Sequence, residues 1–266
     1  MSKLNQGIFE ERTVFDSQDQ FKPKQDYLTQ ETPVSISYNG ISHVVMMASP
    51  GDIEDMAMGF SLTEGIVESR REIYGIEKIK TQLGIEVSIN ISSESFAKLK
   101  EVKRNLAGKT GCGICGVESL NYFNNFLNKD YPKRFELIIT DKVLKKGLKE
   151  FGKNQINQIK TGSTHAAAFF DQHGNIELIR EDVGRHNALD KLIGAIDFEK
   201  FGFIIVSSRA SYEMIQKVLV TKIPIIIALS APTTLAIDLA EKNNLTLIGF
   251  ATDQRFVVYC GKERLV

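Results

Sequence analysis

The chain has 266 residues, 42% hydrophobic and 25% charged, so it is long enough and apolar enough to bury a core of its own. Its 33 Lys and Arg residues equal its 33 Asp and Glu residues, which excludes an overall charge that would draw it to nucleic acid or an anionic membrane. The sequence shows neither a signal-peptide run nor 18 consecutive apolar residues. We therefore predict a cytoplasmic protein that binds neither nucleic acid nor membrane.

The first part of the chain predicts an arm followed by a small mixed unit. Residues 1–30 are polar and without clear periodicity, and we predict that they form a loose arm. Residues 31–107 form the predicted N-terminal α+β part. It opens with two strands within residues 32–47, joined at Asn39-Gly40, a dipeptide favoured in hairpin turns.

The rest of this unit alternates between helical and strand patterns. Ser49 is expected to cap a helix that ends near Gly65, because serine favours the start of a helix and glycine its end. Residues 84–92 alternate apolar and polar side chains as a strand does, and residues 93–106 have the pattern of a basic amphipathic helix.

The second part, residues 121–266, is predicted to be an α/β/α domain. Its strands are continuous apolar runs that alternate with helical patterns, which indicates a partly parallel sheet covered on both faces. The first two runs and the last two are each expected to pair as a hairpin. The predicted strands are residues 164–171, 176–182, 201–208, 223–230, 245–250 and 256–261.

Between the two parts lies a predicted mobile loop, residues 108–120, with the sequence GKTGCGICGVESL. It holds Cys112 and Cys115, two of the three cysteines of the chain. Glycines beside each thiol let a large partner approach the sulfur closely. Basic residues precede the loop and a helix is predicted after it, and both favour the thiolate, the reactive form of cysteine.

Four interpretations of this loop remain open on spacing alone. A zinc site needs about four ligands, and no second Cys or His pair of comparable spacing is present. Dithiol exchange of the thioredoxin type requires the pair to follow a strand and begin a helix in a βαβ frame, whereas this pair precedes the α/β region. The cysteines could also be incidental to a glycine loop, or they could form a nucleophile that carries sulfur.

Polar residues at two strand ends predict an anion-binding edge. Ser207, Arg209 and Ser211 follow one apolar strand and precede a helix, and Ser230 occupies the same position after the next strand. Backbone N–H groups at helix starts attract phosphates and other anions. The alternative is that these side chains are simply helix caps. The dense polar cluster at residues 181–190 is typical of a pocket wall, and no GxGxxG or P-loop motif is present.

A series of segments resembles the FdhD/NarQ family, from about residue 31 to the C-terminus. These segments are ETPVSISYNG, GFSLTEGIV, CGICG, TGSTHAAA, REDVGRHNALDKLIGA, SYEMIQK, SAPTTLA and LIGF, in this order. The resemblance implies a sulfur carrier protein that is required for formate dehydrogenase activity. Such a carrier takes persulfide sulfur from a cysteine desulfurase and passes it to the molybdenum cofactor, bis-molybdopterin guanine dinucleotide, before that cofactor enters formate dehydrogenase. It also implies a homodimer and a cytidine deaminase-like three-layer α/β/α fold.

The resemblance also implies roles for particular residues. Cys112 corresponds to the persulfide cysteine and Cys115 to its partner, and a guanine nucleotide is expected to mimic the cargo. Deaminase chemistry is not implied, because Ala167 stands where the HxE motif needs a glutamate after His165. We predict no metal site of the protein's own; the alternatives are a cofactor chaperone without sulfur transfer and a zinc-binding CxxC module. The predicted cofactor-binding residues are Phe250, Ala251, Thr252, Asp253, Gln254, Arg255, Ser207, Arg209, Ser211 and Ser230.

Overall fold

A computed structural model describes residues 9–107 and 129–266 of the chain, so Cys112, Cys115 and their loop lie outside the described residues. The described chain is a mixed α/β protein, which confirms the predicted class. The strands are β1 (Phe9–Asp16), β2 (Lys22–Thr29), β3 (Thr32–Tyr38), β4 (Ile41–Ala48), β5 (Ile73–Lys80), β6 (Ile85–Ile91), β7 (His165–Asp171), β8 (Ile176–Asp182), β9 (Gly202–Val206), β10 (Ile225–Ala228), β11 (Thr246–Gly249) and β12 (Val257–Cys260). The helices are α1 (Ile53–Thr63), α2 (Ser93–Ala107), α3 (Asp141–Asn154), α4 (Ile156–Thr161), α5 (Arg185–Ala195), α6 (Tyr212–Leu219) and α7 (Thr234–Lys242).

The N-terminal residues differ from the predicted loose arm. Residues 9–29 form an antiparallel hairpin of β1 and β2. The base of this hairpin is held by Lys160 of α4, whose Nζ lies 3.9 Å from the ring centre of Phe9 and 3.8 Å from that of Tyr27. The local sequence could not reveal this order, because the cation that stabilises it lies far along the chain.

The predicted hairpin at residues 32–47 is confirmed as β3 and β4. Asn39 and Gly40 both have positive φ, 45° and 80°, as a tight hairpin turn requires. The four-stranded sheet has the order β4-β3-β6-β5, and β5 was not predicted. One face of this sheet packs on α1. The buried side chains of β3 and β6 join the core with α1, and they alternate with partly buried side chains in β3 and exposed ones in β6. The division of the chain at residue 107 stays a prediction.

The start of α1 corrects one prediction. Ser49 does not cap the helix; its backbone N–H donates to Asp182 Oδ2 at 2.9 Å, and its Oγ accepts from the N–H of Val183 at 3.1 Å. Asp52 is the residue that precedes the helix. A buried carboxylate needs several hydrogen-bond donors, and the backbone N–H of Ser49 is one of the donors to Asp182. The predicted end at Gly65 is confirmed, since Gly65 has a φ of +67° just after the helix.

The C-terminal part is built on a six-stranded sheet in the order β12-β11-β10-β9-β7-β8. Strands β9, β10 and β11 are parallel, whereas β7–β8 and β11–β12 are antiparallel hairpins, as predicted. Helices α5, α6 and α7 contribute to the core on one face and α3 to the core on the other. Each face of the sheet is therefore covered. The likeness to cytidine deaminases stays a prediction.

Two glycines bring α1 and α5 into backbone contact. A Cβ added to Gly59 would lie 1.9 Å from the carbonyl oxygen of Asp190, and one added to Gly194 would lie 1.8 Å from that of Asp55. No other residue type fits at either position without moving a helix. This crossing fixes the four-stranded unit against the six-stranded sheet.

Buried ion pairs lie beside the same crossing. Lys191 Nζ is 2.6 Å from Asp182 Oδ2, and both side chains are fully buried. Lys217 Nζ is 3.0 Å from Asp190 Oδ2 and 2.9 Å from Thr63 Oγ1 at the end of α1. Burial alone would lower the pKa of Lys217, but the nearby carboxylates raise it, so the side chain stays charged.

Within residues 9–107 and 129–266, no helix has the length and apolar character that crossing a membrane requires.

Candidate ligand-binding edge

The ends of three parallel strands place the predicted polar residues along one edge of the six-stranded sheet. Residues 207–211 follow β9, Ser230 follows β10, and Phe250 follows β11. Hydrogen bonds continue between these segments beyond the strands: Leu229 N–H donates to the Val206 carbonyl at 3.1 Å and Phe250 N–H donates to the Ser230 carbonyl at 3.2 Å. The backbone of this edge is therefore ordered by the sheet itself.

The strand order reverses between β7 and β9: from β7 the chain adds β8 on one side and then β9, β10 and β11 on the other. Because β7 is antiparallel to β9, β7 begins at the edge where β9 ends. His165 Nδ1 lies 3.3 Å from Ser207 Oγ, and this oxygen accepts the N–H of Ala166 at 2.9 Å. Open α/β sheets bind ligands at such a reversal, outside the carboxyl ends of their strands.

The charge state of His165 follows from its surroundings. Burial lowers the pKa of its imidazole, and the positive charge of Arg185 lowers it further, against a smaller opposite effect of Asp182. The ring is therefore neutral at pH 7, since its ordinary pKa is already about 6.5. The sequence predicted Arg185 to lie in a polar cluster at a pocket wall, but it placed neither Arg185 nor His165 next to Ser207.

Three helices begin at this edge without side-chain caps. The residues that precede α5, α6 and α7 are Gly184, Ser211 and Thr233, and none makes a cap hydrogen bond with its side chain. The Oγ of Ser211 is buried and has no hydrogen-bond partner. The alternative that Ser211 serves as an ordinary helix cap therefore lacks its hydrogen bond. Uncapped helix starts carry partial positive charge, which favours a bound anion.

The segment after β11 forms a turned loop on the surface. Phe250 has a φ of 49°, a conformation that a bulky side chain rarely adopts, and its side chain is about half exposed, at 49%. Thr252 Oγ1 accepts from the N–H groups of Gln254 and Arg255 at 3.3 Å and 3.0 Å. Ala251 is buried, whereas residues 252–255 are exposed. The loop thus presents polar side chains and one aromatic ring beside Ser230.

The structure brings together the strand-end residues of the predicted site. Ser207 is half-buried against His165, Arg209 and Ser230 are exposed, and all of the predicted cofactor-binding residues lie at or beside the ends of β9, β10 and β11. Their binding role stays a prediction. Cys112 and Cys115 lie outside the described residues, so their distance from this edge is not defined.

Two further observations concern thiol chemistry at Cys260 and metal binding. Cys260 belongs to β12, and its Sγ donates to the Leu245 carbonyl at 3.3 Å. Burial raises the pKa of this thiol, which disfavours the reactive thiolate. In the two described ranges, no three His, Cys, Asp or Glu side chains converge as a metal site.

The fold and this edge define a mixed α/β protein with an anion-favouring row of strand ends and helix starts. The sequence model of the FdhD/NarQ family matches residues 29–266, and the chain belongs to this family. β1 and most of β2 precede the matched region.

A solved structure gives a second comparison. It is the crystal structure of a "putative formate dehydrogenase accessory protein" from Desulfotalea psychrophila. The two chains superpose with a TM-score of 0.74 at 20% sequence identity, over 98% of this chain and 100% of the other. At this identity the likeness establishes a shared fold.

Proposed function

We propose that the protein is an accessory protein of formate dehydrogenase maturation that carries sulfur to a molybdenum cofactor. Its family membership supports the maturation role, and the solved relative of similar fold is described by the same role. The cargo would be bis-molybdopterin guanine dinucleotide, the donor a cysteine desulfurase and the acceptor formate dehydrogenase. We further propose that it acts as a homodimer in the cytoplasm, where a reducing environment keeps thiols free.

The observation that carries the binding part of this proposal is the edge itself. Three uncapped helix starts and the ends of three parallel strands meet there. Such an arrangement suits the phosphates of a nucleotide, because backbone N–H groups and helix dipoles both attract negative charge. The exposed ring of Phe250 and the polar loop after it would contact the guanine end.

The sulfur step is proposed for Cys112 and Cys115. A cysteine thiolate of the chain attacks the outer sulfur of the desulfurase persulfide, so that a new S–S bond forms on the chain. The S–S bond of the donor breaks, and the donor cysteine leaves as a thiolate. No outside oxidant is needed, because one persulfide replaces another. Attack of the second thiolate of the pair on the inner sulfur would release the outer sulfur as sulfide to the cofactor held at the edge. Formation of a Cys112–Cys115 disulfide would supply the two electrons, and a cytoplasmic thiol reductant would reopen it.

A second candidate is a chaperone that binds the cofactor without handling sulfur. The uncapped helix starts and strand ends of the edge support cofactor binding in this candidate as well. The two candidates differ in whether Cys112 and Cys115 are needed.

Binding of guanosine diphosphate tests the cargo part of the proposal. We expect calorimetric titration of the full chain to show binding that weakens about 10-fold in Arg209→Gln, because hydrogen bonds to charged groups contribute roughly 1.5–3 kcal/mol. Phe250→Ala is expected to weaken binding through lost stacking. Arg12→Gln removes the same charge from an exposed position of the N-terminal hairpin, outside the predicted site, and should bind as the wild type does. Equal affinity in all four proteins would contradict the proposed site.

A further inference from the structure

Arg185, the first residue of α5, is a cation without an ion-pair partner among residues 9–107 and 129–266. Its side chain is partly buried, and its Nε is buried without a hydrogen-bond partner. A partly buried guanidinium without an anion is costly, so its position indicates that an anion is supplied from outside.

Asp182, the acidic residue three positions before Arg185, is not available as that anion. Asp182 Oδ1 accepts the N–H of Gly184 at 2.8 Å and the Nδ2 of Asn187 at 3.1 Å. Its Oδ2 accepts the N–H of Ser49 at 2.9 Å and pairs with Lys191 at 2.6 Å. Every acceptor position of this carboxylate is therefore committed inside the fold.

His165 adds a neutral donor beside Arg185. Ser207 Oγ accepts the N–H of Ala166, so its own hydrogen is available to Nδ1 of His165. In a neutral ring whose Nδ1 accepts, the proton lies on Nε2. Nε2–H of His165 is then a donor that this hydrogen bond leaves unused, and the half-buried ring stands at the open edge.

Ser211 brings a third unused polar group to the same place. The starts of α5 and α6 adjoin, since His186 Nε2 lies 2.9 Å from Glu213 Oε2. Ser211 immediately precedes α6, and its buried Oγ has no partner. Arg185 begins α5, Ser211 immediately precedes the adjoining α6, and His165 is close enough to Arg185 for that charge to lower the pKa of its imidazole.

We propose that Arg185, His165 and Ser211 form a subsite that binds a compact oxyanion, either free or as a phosphate of a larger ligand. The subsite lies at the reversal of strand order, beside the strand ends that follow β10 and β11. The identity of its natural ligand rests on the proposed function, whereas the existence of the subsite does not. The test below uses neither a desulfurase nor the cysteines, so it can succeed when sulfur transfer fails.

Titration of the purified full chain with inorganic phosphate tests the subsite. We expect Arg185→Gln to bind at least about 10-fold more weakly than wild type, as loss of a charge-assisted hydrogen bond predicts. Arg71→Gln makes the same substitution at an exposed residue outside the subsite, in the short helical turn at residues 70–72, and should leave binding unchanged. A parallel titration with guanosine diphosphate identifies the source of the anion. If Arg185→Gln binds both ligands more weakly, the natural anion is a phosphate of the nucleotide. If it binds only inorganic phosphate more weakly, the natural anion is another group. No loss in either titration overturns the subsite.

A measurement on the wild-type protein tests the subsite without any substitution that could disturb folding. NMR titration of the four histidines gives the pKa of His165 with and without phosphate. A bound anion stabilises the imidazolium, so saturating phosphate should raise this pKa by about one unit. If phosphate binds while the pKa of His165 does not move, the subsite is not at this histidine and the proposal fails.

Discussion

Formate dehydrogenase activity is expected to fall to background in cells whose copy of this protein carries both Cys112→Ser and Cys115→Ser. A serine hydroxyl cannot accept a persulfide, because the transfer requires a thiolate that attacks sulfur. The cofactor would still be bound but would receive no sulfur. The measurement is formate-dependent dye reduction in a strain that lacks its own copy and expresses either form.

The matched control is Cys260→Ser. This cysteine donates to a backbone carbonyl within the fold, and burial disfavours its thiolate. We expect activity close to wild type from this variant at equal protein level. Full maturation by the double cysteine variant would reject sulfur transfer and leave the chaperone as the function.

Replacement of Lys191 by methionine is expected to lower the free energy of unfolding by about 3–5 kcal/mol, the usual cost of breaking a buried ion pair. Lys191 Nζ lies 2.6 Å from Asp182 Oδ2 and also donates to the Ser49 carbonyl at 2.9 Å. Methionine fills the space but leaves the Asp182 carboxylate buried without its cation. Urea unfolding followed by circular dichroism measures the change.

Lys145→Met makes the same substitution in an exposed pair. Lys145 lies 2.9 Å from Asp141 along α3, four residues away and in contact with solvent. Such a pair contributes about 0.3–0.5 kcal/mol, so this variant should be nearly as stable as wild type. A loss below about 1 kcal/mol in Lys191→Met would contradict the cost expected for breaking the buried pair.

The parts of the fold that follow local rules were predictable from sequence. The turn at Asn39-Gly40 and the apolar strands β9, β10 and β11 have periodicities that specify their structure without distant partners. The hairpin of β1 and β2 escaped prediction because Lys160 holds its aromatic rings. Ser49 shows the same limit: instead of capping a helix, its backbone N–H donates to the buried Asp182 carboxylate of β8 and its Oγ accepts from the Val183 N–H.

The residues of the candidate site likewise differ in whether the local sequence could place them. Ser207, Ser230 and Phe250 could be assigned to one edge because parallel strands place their carboxyl ends together. The approach of His165 to Ser207 depends on β7 lying antiparallel beside β9, a non-local pairing that no short segment specifies. That Arg185 has no ion-pair partner among the described residues was equally hidden, because it depends on the commitment of Asp182 to Ser49 and Lys191.

Mass spectrometry of the intact protein after incubation with a cysteine desulfurase and cysteine tests the sulfur carrier function most directly. We expect that wild type gains the mass of one sulfur atom, that reductant removes it, and that the protein with both Cys112→Ser and Cys115→Ser gains none. An unmodified wild-type protein, or an equal gain in the double variant, would contradict this function.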